Sequence, residues 1–248
     1  MNAQQDFLRQ CLHTYLQIGR ECRRYGLDHS AIRRSQGELS ELRCERWYLR
    51  PEAFDPSGVA LGRPLPDAKV TRLLWRASQL ANKKLETLTG SNSCVAFVAP
   101  EYYHITVLNR DHFDIRQGDH SANDLTDERS REITMLSEAE FEDCAATVRR
   151  LSLHSTSVLM RGVVLTASGR LLVTAYPFGE EILFLRRELL AAMPTLRSNV
   201  PVPSALTIKV GHLRHLLTLP QLYEFLGWLG ICGEHLCARL RFTSTATA

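Results

Sequence analysis

The segment YYHITVLN, at residues 102–109, alternates so regularly between apolar and polar side chains that it predicts a β-strand with two different faces. Ile105 takes the core face, so its neighbours His104 and Thr106 point to the opposite side. A chain with such a strand folds around a sheet with a buried face. The composition agrees, because 44% of the 248 residues are apolar and 23% are charged, as in ordinary globular proteins.

A second alternating segment, at residues 204–212, contains LTIKV. Its apolar residues take the core face, and Thr207 and Lys209 point outward. We expect the two strands to lie in one cleft, related by a pseudo-twofold axis. The cleft would then be lined by an imidazole, two hydroxyls and an ammonium: His104, Thr106, Thr207 and Lys209. Such a set is suited to holding and attacking a phosphate.

The remaining pattern predicts an α+β fold. Helical spacing indicates helices at residues 5–25, 67–88, 138–151, 179–193 and 219–229, with a weaker one at 31–48. Further strands are predicted at 94–98, 158–166, 171–176 and 236–243, with a short strand in the loop 51–66 and a long loop at 110–132. Two α+β halves, each ending in a strand and a loop, suggest an internal duplication into bilobal, pseudo-symmetric sheet lobes with outer helices.

We therefore divide the chain into a helical N-terminal extension, residues 1–50, and a main domain, residues 51–248. The intertwined lobes of that domain cover about 51–135 and 136–248. The extension carries nine arginines against six acidic residues, whereas the rest of the chain is balanced. It is either a helical cap packed on the main domain or an arm that binds a protein or nucleic-acid partner.

Several classes of protein are disfavoured. The seven cysteines are odd in number and scattered, so we expect reduced thiols and a cytoplasmic location. Cys232 and Cys237, with His235 between them, lack the second ligand pair of a zinc site, and the predicted chemistry needs no metal or cofactor. No apolar run is long enough to span a membrane. No P-loop, GxGxxG, HExxH or GxSxG motif occurs.

The HITV motif, together with the bilobal pattern, resembles the 2H phosphoesterase superfamily, the LigT-like cyclic phosphodiesterases. The resemblance covers about residues 55–243. Its other landmarks are Pro100 ahead of the motif, RGVVLTASGRLLVTAYP, EEILFLRRELL and LTIKVGHLRHLLTLPQLYEF. Members carry two His-x-Thr/Ser motifs, one per lobe, on strands that face a shared groove. The resemblance implies His104, Thr106 and Lys209 as catalytic residues, and Thr207, Tyr103 and His212 as phosphate-binding residues.

The second motif departs from the family, because Thr207 and Lys209 stand where the family has His and Thr or Ser. In an unbroken strand His212 lies on the core face, and only a bulge at Gly211 would turn it into the cleft. Three hypotheses follow. The chain is a divergent phosphodiesterase acting on RNA ends, 2′,3′-cyclic phosphates or 2′–5′ linkages with one histidine. Alternatively, it is an inactive nucleotide- or RNA-binding module, or an interaction module that uses its N-terminal helices.

Overall fold

Helices and strands alternate in a computed structural model that describes residues 3–30, 32, 60–64, 68–100, 103–109, 143, 146, 156–192, 206–235 and 237–242. The long helices among these residues are α1 (Ala3–Tyr25), α2 (Ala68–Thr89), α3 (Glu181–Ala192) and α4 (Leu219–His235). The strands are β1 (Ala60–Pro64), β2 (Val95–Phe97), β3 (His104–Asn109), β4 (Thr156–Leu165), β5 (Arg170–Pro177), β6 (Leu206–Leu213) and β7 (Cys237–Phe242). Each matches a predicted element to within a few residues.

Five strands form the central sheet, in the order β2–β6–β5–β4–β7, and each neighbouring pair is antiparallel. Strands β1 and β3 pair with each other in a separate antiparallel sheet. Strand β2 belongs to the predicted first lobe, yet its partner β6 belongs to the second. The α+β class is confirmed, and the arrangement as two duplicated lobes stays a prediction.

Helices α2 and α4 pack against each other, and α4 also packs on β4. The buried side chains of α2 follow the predicted apolar stripe, although Leu73 and Leu80 of that stripe are exposed. Helix α4 buries Leu222, Phe225, Leu226 and Leu229. Fully burying one such side chain contributes roughly 1.5–3 kcal/mol, so these stripes supply much of the energy that holds the layer of helices on the sheet.

Helix α1 packs on the same core rather than standing apart from it. Its buried face includes Phe7, Cys11 and Tyr15, which belong to the main hydrophobic cluster. The helix ends as predicted at Gly26, whose φ of 75° is the left-handed conformation that favours glycine. On α3, Arg186 is fully buried, with its guanidinium carbon 5.2 Å from the centroid of the Phe7 ring, so a cation–π contact joins the two helices.

The predicted hairpin of β4 and β5 is confirmed, and its turn fixes the start of β5. The backbone N–H of Thr166 donates to the Arg170 carbonyl at 3.0 Å, and the Arg170 N–H donates to the Thr166 hydroxyl at 2.9 Å. Gly169 has a φ of 84°, which a side chain rarely tolerates. The Asp28 N–H donates to the Ala167 carbonyl at 2.8 Å, so the chain that follows α1 is attached to this turn.

Strand β6 contains a β-bulge that changes which residues share a face. Leu172 of β5 is opposite Lys209, but the preceding residue Leu171 is opposite Gly211, so Val210 is an extra residue. A side chain at Gly211 would begin 2.6 Å from the Cγ1 atom of Val95 on β2. Glycine therefore lets β2 approach β6 closely next to the bulge.

Three predicted segments lie largely or wholly outside the described residues. They are the helix at 31–48, the long loop at 110–132 and the helix at 138–151.

Candidate functional site

The strand that carries the first predicted motif lies beside the strand that carries the second. Cα atoms of β3 come within 8 Å of Cα atoms of β6, although β3 is hydrogen-bonded to β1 instead. The chain arrives from β2 along the edge of β6, where the Val98 N–H donates to the Val210 carbonyl at 3.2 Å. Two segments that are distant in sequence are therefore neighbours, which a shared cleft requires.

On β3, the structure agrees with the predicted core face. Ile105 is buried, and Tyr103 just before the strand is buried in the same hydrophobic cluster. Tyr103, expected to bind phosphate, is thus only 1% exposed. In the β1 register His104 is opposite Pro64 and Thr106 is opposite Gly62. The side chains of His104 and Thr106 lie outside the described part of the structure.

The two faces of β6 divide as the alternation predicts. Thr207 is opposite Thr174 of β5 and Lys209 is opposite Leu172, so these four side chains share one face, which we call the polar face of β5 and β6. The apolar residues Leu206 and Ile208 lie on the other face and are fully buried. The polar face is largely covered as well, because Thr207 is 4% exposed and Lys209 is half-buried.

Helix α1 covers the Thr207 end of the polar face. The Tyr15 ring meets the Tyr176 ring edge-on at 5.3 Å, and Tyr176 lies on the same face as Thr174, two residues away. The Tyr15 hydroxyl is 2.8 Å from the Ala175 carbonyl oxygen and 2.5 Å from the Leu206 carbonyl oxygen, and it accepts the Leu206 N–H at 2.8 Å. Burial raises the pKa of Tyr15, so the hydroxyl stays neutral.

The β6 bulge places His212 opposite Arg170, which puts it on the polar face with Lys209. The expectation that an unbroken strand turns His212 to the core face is therefore wrong, and the bulge alternative describes the strand. His212 is nevertheless 0% exposed, and its Nδ1 atom is 2.9 Å from the Leu213 carbonyl oxygen. Burial, with the charges of Lys209 and Arg170 as smaller causes, lowers its pKa to about 4. This histidine is a neutral, internal group.

Sequence reasoning missed the contribution of β5 to the polar face. Arg170 is half-buried on this face, directly opposite His212, and it forms no ion pair with any acidic residue that the structure describes. The signal was present, because the segment RLLVTAY alternates and places Arg170 in phase with Thr174. Thr174 is already engaged, since its hydroxyl donates to the Arg161 carbonyl in the bulge of β4.

Other chemistries find little support in the described part of the chain. Burial raises the pKa of the free thiols of Cys11 and Cys22 to about 11 and about 12, which keeps both thiols protonated at neutral pH. Among the described residues, no cluster of three or more His, Cys, Asp or Glu side chains is placed to hold a metal. None of the described helices combines the length and apolar character needed to cross a membrane.

The outward face of α1 leaves two large apolar side chains exposed, Leu12 at 49% and Leu16 at 51%. Beside them lies a shallow depression of about 270 Å³, lined by Arg9, Gln10, His13 and Thr14. A protein or nucleic-acid partner for this basic helix stays a prediction.

Comparisons with known proteins leave the family open. No family model matches the chain, and no curated protein matches it. Among solved structures, it is similar to a conserved protein of unknown function from Agrobacterium tumefaciens str. C58, with a TM-score of 0.35 and 11% sequence identity. That match covers 79% of this chain and 93% of the other. A similarity of this size does not establish a shared fold.

Proposed function

We propose that this chain is a phosphate-binding protein of the 2H type, in which a cleft between β3 and β6 holds the phosphate of a nucleotide or of an RNA end. The adjacency of these two strands carries the proposal, because each contributes residues that the sequence assigns to phosphate. Lys209, half-buried on the polar face, is the cation offered from β6. His104 and Thr106 are contributed by β3. The bilobal, duplicated arrangement of the 2H fold is part of this proposal.

Binding is favoured over efficient turnover by the state of β6. Hydrolysis in the two-histidine family uses one imidazole as general base and the other as general acid. Here Thr207, which is 4% exposed, stands at the position of the second histidine, and the nearby His212 is fully buried. With a pKa of about 4, His212 carries no proton to donate at neutral pH. Only His104 remains for acid–base work.

The test is a titration of the full chain with adenosine 3′-monophosphate and with a short RNA that ends in a phosphate. We expect saturable binding that weakens as salt is raised, since the contact is largely ionic. Lys209→Ala should weaken binding by roughly tenfold, as the loss of one charge-assisted contact does. Lys83→Ala, which removes an exposed lysine from α2, is the matched control. Equal binding by the wild type and Lys209→Ala would contradict the proposed site.

A second candidate function is slow phosphodiesterase activity with His104 as the single acid–base group. The position of β3 beside β6 favours it, because a ligand held by Lys209 would lie next to the strand that carries His104. The double variant Thr207→His with Lys209→Thr should raise hydrolysis of a 2′,3′-cyclic nucleotide by up to roughly 10²–10⁴-fold. His104→Ala should abolish it in both backgrounds. A wild-type pH profile shaped as a full bell, lost in His212→Ala, would show instead that His212 acts as the second histidine.

A further inference from the structure

Arg170 and Lys209 are diagonal neighbours on the polar face of β5 and β6. Arg170 is opposite His212, and Lys209 is opposite Leu172, the next residue of β5 on the same face. The Cβ atoms of diagonal neighbours are about 7–8 Å apart or slightly less, which two long side chains easily span. Without the extra residue Val210, His212 would lie on the other face. The β6 bulge therefore lets His212 share the polar face with both cations.

The surroundings of this pair hold two positive charges together on one surface. Both side chains are half-buried, and the group between them, His212, is fully buried and uncharged. The other residues that pair onto this end of the face are Ala96 and Leu172, so no carboxylate is among them. Asp28 adjoins the nearby turn through its backbone, but Arg170 forms no ion pair with it or with any other described acid.

The backbone of Arg170 is fixed before any ligand arrives. Its N–H donates to the Thr166 hydroxyl and its carbonyl accepts the Thr166 N–H, so the turn determines where the side chain starts. A guanidinium on a fixed backbone makes two parallel hydrogen bonds to one phosphate, whereas an ammonium acts as a point charge. The two cations therefore offer different contacts to the same anion.

We infer that Arg170 is a second phosphate-binding cation and that, together with Lys209, it selects a phosphomonoester dianion over a phosphodiester. The inference rests on the proposed function. A nucleoside monophosphate or a phosphate-terminated RNA carries nearly two negative charges at pH 7.5, because its second pKa is near 6. A cyclic phosphate or an internal linkage carries one. Two like charges on one face are both neutralised only by the dianion, so the site fits a terminal phosphate better than a cyclic one.

The experiment measures dissociation constants of the full chain for adenosine 3′-monophosphate and adenosine 2′,3′-cyclic monophosphate, at pH 7.5 and low salt. The wild type should bind the monoester roughly tenfold more tightly, the scale of one additional charge-assisted contact. Arg170→Ala should remove this preference by weakening the monoester alone, and Arg170→Gln, which keeps the length of the side chain, should do the same. Arg76→Ala, an exposed arginine on α2, is the matched control and should leave both constants unchanged. Thermal melts show that each variant is folded.

The outcomes separate this inference from the function on which it rests. If both ligands bind equally, with binding that depends on Lys209 and not on Arg170, the inference is overturned and the phosphate site stands. If the cyclic ligand binds more tightly, the assignment of the dianion is wrong in the same way. If the wild type binds neither ligand, the inference and the proposed function both fail. A monoester preference that disappears in both Arg170 variants and persists in Arg76→Ala supports it.

Discussion

The two ends of the polar face of β5 and β6 carry similar residue types and have different environments. At one end Thr207 lies buried where Tyr15 of α1 meets Tyr176 and the ends of β5 and β6. At the other end Arg170 and Lys209 remain half-exposed. The alternation of a strand therefore determines which side chains share a face. A helix from the other end of the chain determines which of them reaches solvent.

The difference assigns distinct roles to the two ends. The buried end is stabilised by hydrogen bonds that α1 completes, so changes there should affect the free energy of unfolding. The half-exposed end holds charges that contribute little to folding, so changes there should affect ligand binding. Stability measurements along one face can therefore separate its structural part from its functional part.

The largest effect is expected at Tyr15. Tyr15→Ala removes a buried aromatic ring and should lower the free energy of unfolding by about 3–5 kcal/mol, measured by urea denaturation. Tyr15→Phe keeps the ring but leaves the Leu206 N–H without its hydroxyl partner, and it should cost about 1–3 kcal/mol. The control is Tyr223→Phe, an exposed tyrosine that donates to the Arg23 carbonyl at 3.1 Å. Equal effects of the two Phe variants would show that α1 does not stabilise the sheet through Tyr15.

The next effect is a pH dependence that originates at His212. Its pKa is about 4 when folded and about 6.5 when unfolded, so the unfolded chain binds a proton first as the pH falls. This contribution to stability is complete above pH 6.5 and is lost between pH 6.5 and pH 4, by about 3 kcal/mol in total. His212→Asn should remove this part of the curve, whereas His13→Gln, on the exposed face of α1, should preserve it. Parallel curves for the wild type and His212→Asn would mean that the ring is accessible to protons.

The smallest effect is expected at the half-exposed end. Lys209→Gln should change the free energy of unfolding by less than about 0.5 kcal/mol, because a partly exposed charge contributes little to stability. The substitution also separates two like charges, since Arg170 loses a positive neighbour. A loss of 2 kcal/mol or more (about the cost of breaking a buried contact) would assign Lys209 a structural role, and both ends of the face would then be alike.

Local patterns predict most of the described fold. Alternation located the strands, helical spacing located α1, α2 and α4, and the Ala-Ser-Gly sequence located the turn between β4 and β5. The position of His212 was not predicted, because a bulge depends on how β2, β5 and β6 fit together and not on the sequence of one strand. The burial of Thr207 was not predicted either, since Tyr15 reaches it from 191–192 residues away in the chain, as the Tyr15–Leu206 contact shows.

The contact of Tyr15 with Leu206 also gives one backbone amide an unusual reporting role. In an ordinary sheet, an amide resists hydrogen exchange because the neighbouring strand covers it. The Leu206 amide is protected instead by a side-chain oxygen on α1, at 2.8 Å. If α1 undocks while the strands stay paired, this amide exchanges and the ladder amides of β5 do not. Its exchange rate therefore measures how often the N-terminal helix leaves the sheet, independently of global unfolding.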